Sequence, residues 1–190
     1  MIRSLKPKSE FSHNVITLMT GTTLAQAIPI AISPILTRLY TPEDFGVLAL
    51  YMAVTALVSA IATGRYELAI MLPKNDVDAA NIVALTITVT SMISLVTLSV
   101  VMIYNTEITL LLGNPEISNW LYIVPLTVFL TGVYQSLNYW SNRKKHYKRL
   151  STSRVLQSGT GAGASLSMGG AGFSSGGLII GQIVGQSVAT

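Results

Sequence analysis

Arg38 and Arg65 are the residues of this sequence best placed to do chemistry, because each abuts a long uncharged run. A guanidinium at the edge of hydrocarbon has two uses. It snorkels to the interface, where Arg38 would meet Glu43 or Asp44, or it lines a polar pathway through the membrane. The sequence leaves both open for Arg38. Other reactive constellations are sparse. The two histidines, His13 and His146, sit in flanking segments and form no cluster with metal-ligand spacing. Acidic residues occupy loops or span ends, with no buried acidic pair, which argues against a membrane-embedded hydrolase or glycosyltransferase. The same absence weakens a proton relay within these helices. The run Gly159-Thr-Gly-Ala-Gly-Ala164 departs from a dinucleotide fingerprint, since no strand precedes it and no acid follows Glu116. Zero cysteines exclude disulfides and thiolate metal sites. No cofactor and no metal are expected.

The elements that must position these residues follow from composition. Half of the 190 residues are hydrophobic and only 11% are charged, against about 25% in soluble domains. Uncharged runs cover 14–37, 45–64, 79–106, 117–142 and 155–190. A hydrocarbon core about 30 Å thick takes roughly 20 apolar helical residues. The last run is too long for one helix and is expected to fold back at Gly172, Ser174, Ser175, Gly176 and Gly177. The expected architecture is an all-α, polytopic bundle with six spans, about 14–37, 45–64, 80–103, 118–139, 155–171 and 177–190. Eleven of the twelve Lys and Arg residues fall in alternate gaps: 1–13, 64–78 and 139–154. Such gaps are cytoplasmic in membrane proteins, so 1–13 reads as a cytoplasmic tail and both chain ends lie inside. The positive charge then orients the chain beside membrane lipids, and nucleic acid is not a partner. Ala25-Gln-Ala27 mimics a signal-peptide cleavage site, but the apolar run continues beyond it to Leu36.

Within the first span, Pro29 and Pro34 each remove a backbone donor, giving a static bend or a hinge. Thr17, Thr20, Thr22, Thr23 and Gln26 turn that helix toward the bundle. Thr41 caps the second helix, with Pro42 in its first turn and Glu43 and Asp44 at its positive end. Residues 104–117 read as an acidic outer loop turned by Gly113-Asn114-Pro115, and Pro125 kinks the fourth span. Gly159 and Gly163 are four apart, as are Gly177, Gly181 and Gly185, a spacing that lets helix backbones approach closely.

Four segments in order resemble one family. Leu36-Thr-Arg-Leu-Tyr-Thr-Pro-Glu-Asp-Phe-Gly46 is similar to the first-loop signature of polysaccharide-unit flippases. Arg65-Tyr-Glu-Leu-Ala-Ile-Met-Leu-Pro73 is similar to the stretch after their second helix. Trp140-Ser-Asn-Arg-Lys-Lys-His-Tyr-Lys148 is similar to their second inner loop. Gly172-Phe-Ser-Ser-Gly-Gly-Leu-Ile-Ile-Gly181 is similar to their fifth-to-sixth helix turn. These proteins belong to the multidrug/oligosaccharidyl-lipid/polysaccharide exporter superfamily. The resemblance implies two lobes, of which this sequence is expected to be the N-terminal one, the C-terminal lobe being absent. It implies a lipid-linked oligosaccharide substrate on undecaprenyl diphosphate, moved outward across the bacterial inner membrane by alternating access for O-antigen or capsule assembly. It also implies contact with polysaccharide polymerase machinery. Arg38 and Arg65 then become candidates for contact with the diphosphate or sugar, and Pro29 and Pro34 become hinge candidates.

Other functions compete. The same superfamily contains multidrug and lipid II exporters. A membrane-embedded glycosyltransferase needs acid or base chemistry in an outer loop, and 104–117 is short for that. A non-transporting scaffold has no use for kinked, hydroxyl-rich spans. The expectation is therefore a transporter and not an enzyme.

Overall fold

An uncharged chain in hydrocarbon must satisfy its backbone donors and acceptors internally, which favours helices. The computed structural model describes the backbone of residues 6–190 and side chains from residue 15 onward. Residues 1–5 of the expected tail lie outside the described residues, as does the side chain of His13. In chain order the helices are α1 (Lys6–Leu39), α2 (Pro42–Thr63), α3 (Tyr66–Ala69), α4 (Asp76–Leu112), α5 (Ser118–Leu121), α6 (Val124–Arg143), α7 (Tyr147–Gly170) and α8 (Ser175–Ala189). No strand occurs among the described residues.

Three helices are long and apolar enough to cross a membrane: Val15–Leu39 of α1, α2 and α4. A fourth joins them if Pro115–Leu121 and α6, bent by 53°, form one broken span. The chain is a multi-pass membrane protein. The expected six are not all reached on length and composition. α7 has 24 residues but carries Arg149 and Arg154 and is mostly Gly, Ser, Thr and Ala. α8 has 15 residues, about 22 Å at roughly 1.5 Å each, shorter than a hydrocarbon core of about 30 Å.

Local chemistry sets the boundaries. Thr41 and Asp44 form a reciprocal cap on α2: the Thr41 amide donates to Asp44 Oδ2 at 2.9 Å, and the Asp44 amide to Thr41 Oγ1 at 3.3 Å. Asp44 is thereby engaged, and no ion pair joins Arg38 to Glu43 or Asp44 among the described residues. The expected acidic loop is mostly helix. α4 continues to Leu112, and only Gly113, Asn114 and the 3-10 turn Pro115–Ile117 form the connection. α4 does break at Tyr104 (φ −112°, ψ 21°). Beside the break Asn105 Nδ2 donates to the Ser118 carbonyl at 2.9 Å, and Ser118 Oγ to Asn105 Oδ1 at 2.5 Å. The fourth span bends at Tyr122–Ile123, where Pro125 has no amide to offer the Leu121 carbonyl. α1, in contrast, runs through Pro29 and Pro34 as one helix.

The helices alternate in direction. Ser153 Oγ donates to the Ala189 carbonyl at 2.9 Å, joining the start of α7 to the end of α8. Residues 64–76 and 141–154 lie at this same end, here the basic end. Tyr40 lies at the far end, where its Oη donates to the Ser165 carbonyl at 2.6 Å. α1 packs on α7, α7 on α8, α8 on α2, and α2 on α6 and α4. The apolar core of Val47, Tyr51, Ile117, Leu121, Val124, Val128 and Ile179 fills the far end between α2, α6 and α8.

Glycine sets the α7–α8 contact. A Cβ on Gly181 would stand 2.9 Å from the Gly161 carbonyl oxygen, and one on Gly185 2.5 Å from that of Gln157. Gly177 faces Met168 and Tyr40 in the same seam. Gly159 and Gly163 lie elsewhere: both are exposed, and a Cβ on either meets nothing within 4 Å. The partner glycine on α7 is Gly161, midway between them, because the opposite helix face turns toward α8. Gly185→Ala is expected to cost about 1–3 kcal/mol through overpacking against backbone, read as a lower unfolding midpoint in detergent. Gly159→Ala should leave the midpoint unchanged or raise it by up to about 1 kcal/mol.

Candidate functional site

Polar residues recur at helical spacing on three helices. On α2 they are Tyr51, Thr55, Ser59 and Thr63. On α6 they are Thr127, Thr131, Gln135, Asn138 and Asn142. On α8 they are Gln182 and Gln186. Side chains three or four apart share a helix face, and hydrocarbon turns such a face inward. The three faces line a half-open cavity of about 640 Å³. Tyr51 Oη and Thr127 Oγ1, 2.5 Å apart, tie α2 to α6 and bound it toward the far end. From there the helices frame a space that reaches Arg65, Glu67, Asn142 and Arg154 at the basic end.

Three charges line the cavity. Arg65 follows Gly64, and both adopt left-handed backbone conformations (φ 60° and 51°). That pair reverses the chain between α2 and α3 and sets the guanidinium at the cavity's edge. Glu67, two residues on, is 4% exposed, and its Oε2 has no hydrogen-bond partner. The Ser59 hydroxyl, 7% exposed, also has none. Buried polar atoms without partners cost about 1–3 kcal/mol each; of the four among the described residues, those of Thr55, Ser59 and Glu67 line this cavity and that of Thr90 does not. Arg154 enters from α7 and donates to Thr22 Oγ1 of α1 at 2.8 Å. Gln157 Nε2 donates to Gln186 Oε1 at 2.6 Å behind the α8 face. Two guanidinium groups suit phosphate oxygens, while the carboxylate, amides and hydroxyls suit sugar hydroxyls. No three His, Cys, Asp or Glu side chains converge to hold a metal among the described residues.

The chain matches the family model described as "polysaccharide biosynthesis protein" over residues 35–190. It belongs to the polysaccharide biosynthesis protein family. No curated protein and no solved structure gives a significant match. In this family member the two arginines expected at the site part company. Arg65 lines the cavity, whereas Arg38 is exposed at the far end and lines none of the described cavities. Pro29 faces a second, smaller cavity beside α1, and Pro34 does not. The sequence reading places Glu67 beside Arg65 and Arg154 among the basic residues of 139–154 without assigning either to a site; the i, i+4 polar stripes are the signal that could have found their cavity.

Arg143 holds the segment behind Glu67. Its Nη1 donates to the Ile70 carbonyl at 3.2 Å, and its Nη2 to the carbonyls of Lys74 and Asn75 at 3.4 and 3.3 Å. Its Nε pairs with Asp76 at 3.3 Å, and Lys144, lying over the Trp140 ring, also bonds Asp76. The Asp76 side chain is 57% exposed, so solvent screens the ion pairs, and the carbonyl contacts matter more. Arg143→Gln should therefore speed amide exchange across 65–76 by roughly tenfold, since hydrogen bonds to charged groups contribute about 1.5–3 kcal/mol. Asp76→Asn should change that exchange little. A left-handed conformation costs a non-glycine residue about 1–2 kcal/mol. Arg65→Gly is accordingly expected to raise the unfolding midpoint, and Arg65→Val to lower it.

Proposed function

We propose that this protein is the N-terminal lobe of a flippase that carries undecaprenyl-diphosphate-linked oligosaccharide units across the bacterial inner membrane by alternating access, for O-antigen or capsular polysaccharide. Family membership supports polysaccharide biosynthesis, and the apolar helices support a membrane location. One observation carries the transport reading: a 640 Å³ cavity inside a membrane bundle, walled by polar side chains and bearing Arg65, Arg154 and Glu67. Hydrocarbon rejects a sugar diphosphate, and such a cavity replaces its water. The six helices α1, α2, α4, α6, α7 and α8 are the six crossings in this reading. The basic end faces the cytoplasm, following the excess of Lys and Arg there. Arg65 and Arg154 receive the diphosphate as it enters from that side. Pro29 and Pro34 let α1 bend as the lobes rock. Polymerase machinery takes the unit outside.

The test uses the full-length protein in its host. Arg65→Glu and Arg154→Glu are expected to lower surface polysaccharide about 10- to 100-fold, the effect of losing about 1.5–3 kcal/mol of charged contact. Protein levels should hold, and lipid-linked units should accumulate on the cytoplasmic face. Unchanged polysaccharide at normal protein levels would reject the cavity as the pathway. A defect confined to Arg38→Glu would move the pathway to the far end. Normal polysaccharide with altered drug resistance or altered wall precursor export would favour another exporter of the superfamily.

A further inference from the structure

Glu67 is a buried carboxylate that no cation of its own chain meets. Its Oε2 has no hydrogen-bond partner. Two guanidinium groups line the same cavity, yet neither pairs with it. Among the described residues the ion pairs are those of Arg143 and Lys144 with Asp76. Arg154 is committed instead to Thr22 Oγ1. A charge taken out of water costs far more than a neutral group, so buried charges are paired or hold ions.

The Ser59 hydroxyl gives an independent sign. A serine or threonine inside a helix can turn its hydroxyl back to the carbonyl four residues earlier. Thr86, Ser91, Thr97 and Ser136 do so at 2.7–2.8 Å. Ser59 does not: its Oγ is buried, forgoes the Thr55 carbonyl and has no other partner. Ser59 reaches the cavity from the end of α2, and Glu67 reaches it from α3, beyond the Gly64-Arg65 reversal. The third unpartnered oxygen of the cavity, Thr55 Oγ1, differs in having the Tyr51 hydroxyl as a neighbour.

The donor set names the ligand class. It is oxygen alone, one carboxylate and one hydroxyl, with the amides of Gln135 and Asn138 lining the same space. Such ligands suit hard cations. One negative charge balances one positive charge, whereas calcium takes about 6–8 oxygens, several of them from carboxylates. No three acids or histidines converge among the described residues. We infer that Glu67 anchors a site for a small monovalent cation in this cavity, with Ser59 Oγ as a second ligand. Two sources carry that charge: a free alkali ion such as sodium, or the ammonium group of an amino sugar. The inference stands on burial and missing partners, not on the transport reading above.

The experiment takes the whole purified chain in detergent and reads its unfolding midpoint. Ionic strength is held constant with choline chloride, whose bulky cation serves as the blank. The probes are sodium chloride, methyl glucosaminide and methyl N-acetylglucosaminide, the last lacking the ammonium. Sodium, methyl glucosaminide or both are expected to raise the midpoint by roughly 2–4 °C at about ten times the Kd. A response to sodium alone assigns the free ion, and a response to methyl glucosaminide alone assigns the sugar ammonium. Glu67→Gln should abolish the response, and Ser59→Ala should weaken the apparent affinity roughly fivefold. Asp78→Asn, at an exposed acid, should keep it. In choline alone Glu67→Gln should unfold no sooner than the unaltered chain, because it removes an unbalanced charge. A carboxylate with a merely structural role would give a lower midpoint there, and that result would overturn the inference. So would equal midpoints with every probe, a response that survives Glu67→Gln, or an N-acetyl form that matches the amino form while sodium is silent. If Glu67→Gln does not fold, an affinity unmoved by Ser59→Ala is the overturning result. None of these outcomes touches the host test of Arg65 and Arg154, so the two readings fail separately.

Discussion

Polar side chains in hydrocarbon have to face one another, and the rest of this structure depends on that constraint. α2, α6 and α8 each carry a stripe of hydroxyls or amides that lipid would reject. At the far end the stripes meet, and the contact between Tyr51 and Thr127 satisfies them directly. Toward the basic end they stand apart across a cavity that reaches Arg65, Glu67 and Arg154. Folding has therefore left polar groups facing space and not protein. Ser59 and Glu67 show it most plainly, since each is buried and lacks a partner. A bundle selected for stability alone would replace such groups with packed aliphatic residues.

The close α7–α8 seam works in the opposite sense. Glycines bring two backbones into contact, and α8 presents Gln182 and Gln186 to the polar cavity from beside that seam. Small residues let a helix of only 15 residues pack tightly on α7 while lining two cavities. Tyr40 locks the far end of the seam through the Ser165 carbonyl. The basic end is held by Ser153 against the last turn of α8.

Much of the helical layout was legible in the sequence, for physical reasons that differ along the chain. The Thr41-Pro42-Glu43-Asp44 cap is local chemistry, so its reading needs no tertiary information, and the cap is present as read. The glycine spacing was legible but its face was not. Two periodic sets overlap on α7, and only the position of α8 selects Gly161 over Gly159 and Gly163. The segment 104–117 reads as a loop because of its acids, Glu107 and Glu116, and the turn Gly113-Asn114-Pro115. In the fold Asn105 supports the break at Tyr104, and the helix resumes. Arg65 was found because it abuts a span. Arg154 sits among the basic residues of 139–154 in the sequence, and Glu67 reads as one of the acids at span ends, whereas α3 buries it at the cavity.

Arg143 carries a wider lesson about loop charge. A tally that sets membrane orientation treats lysines and arginines beside a span as interchangeable coins of one value. Arg143 serves four acceptors in one segment, whereas among the described residues no such set gathers on Lys145 or Lys148. Arg143 is not interchangeable, because its address in the chain is also a joint in the scaffold. Topology and architecture are thus encoded by overlapping letters, and an edit meant for one would rewrite the other.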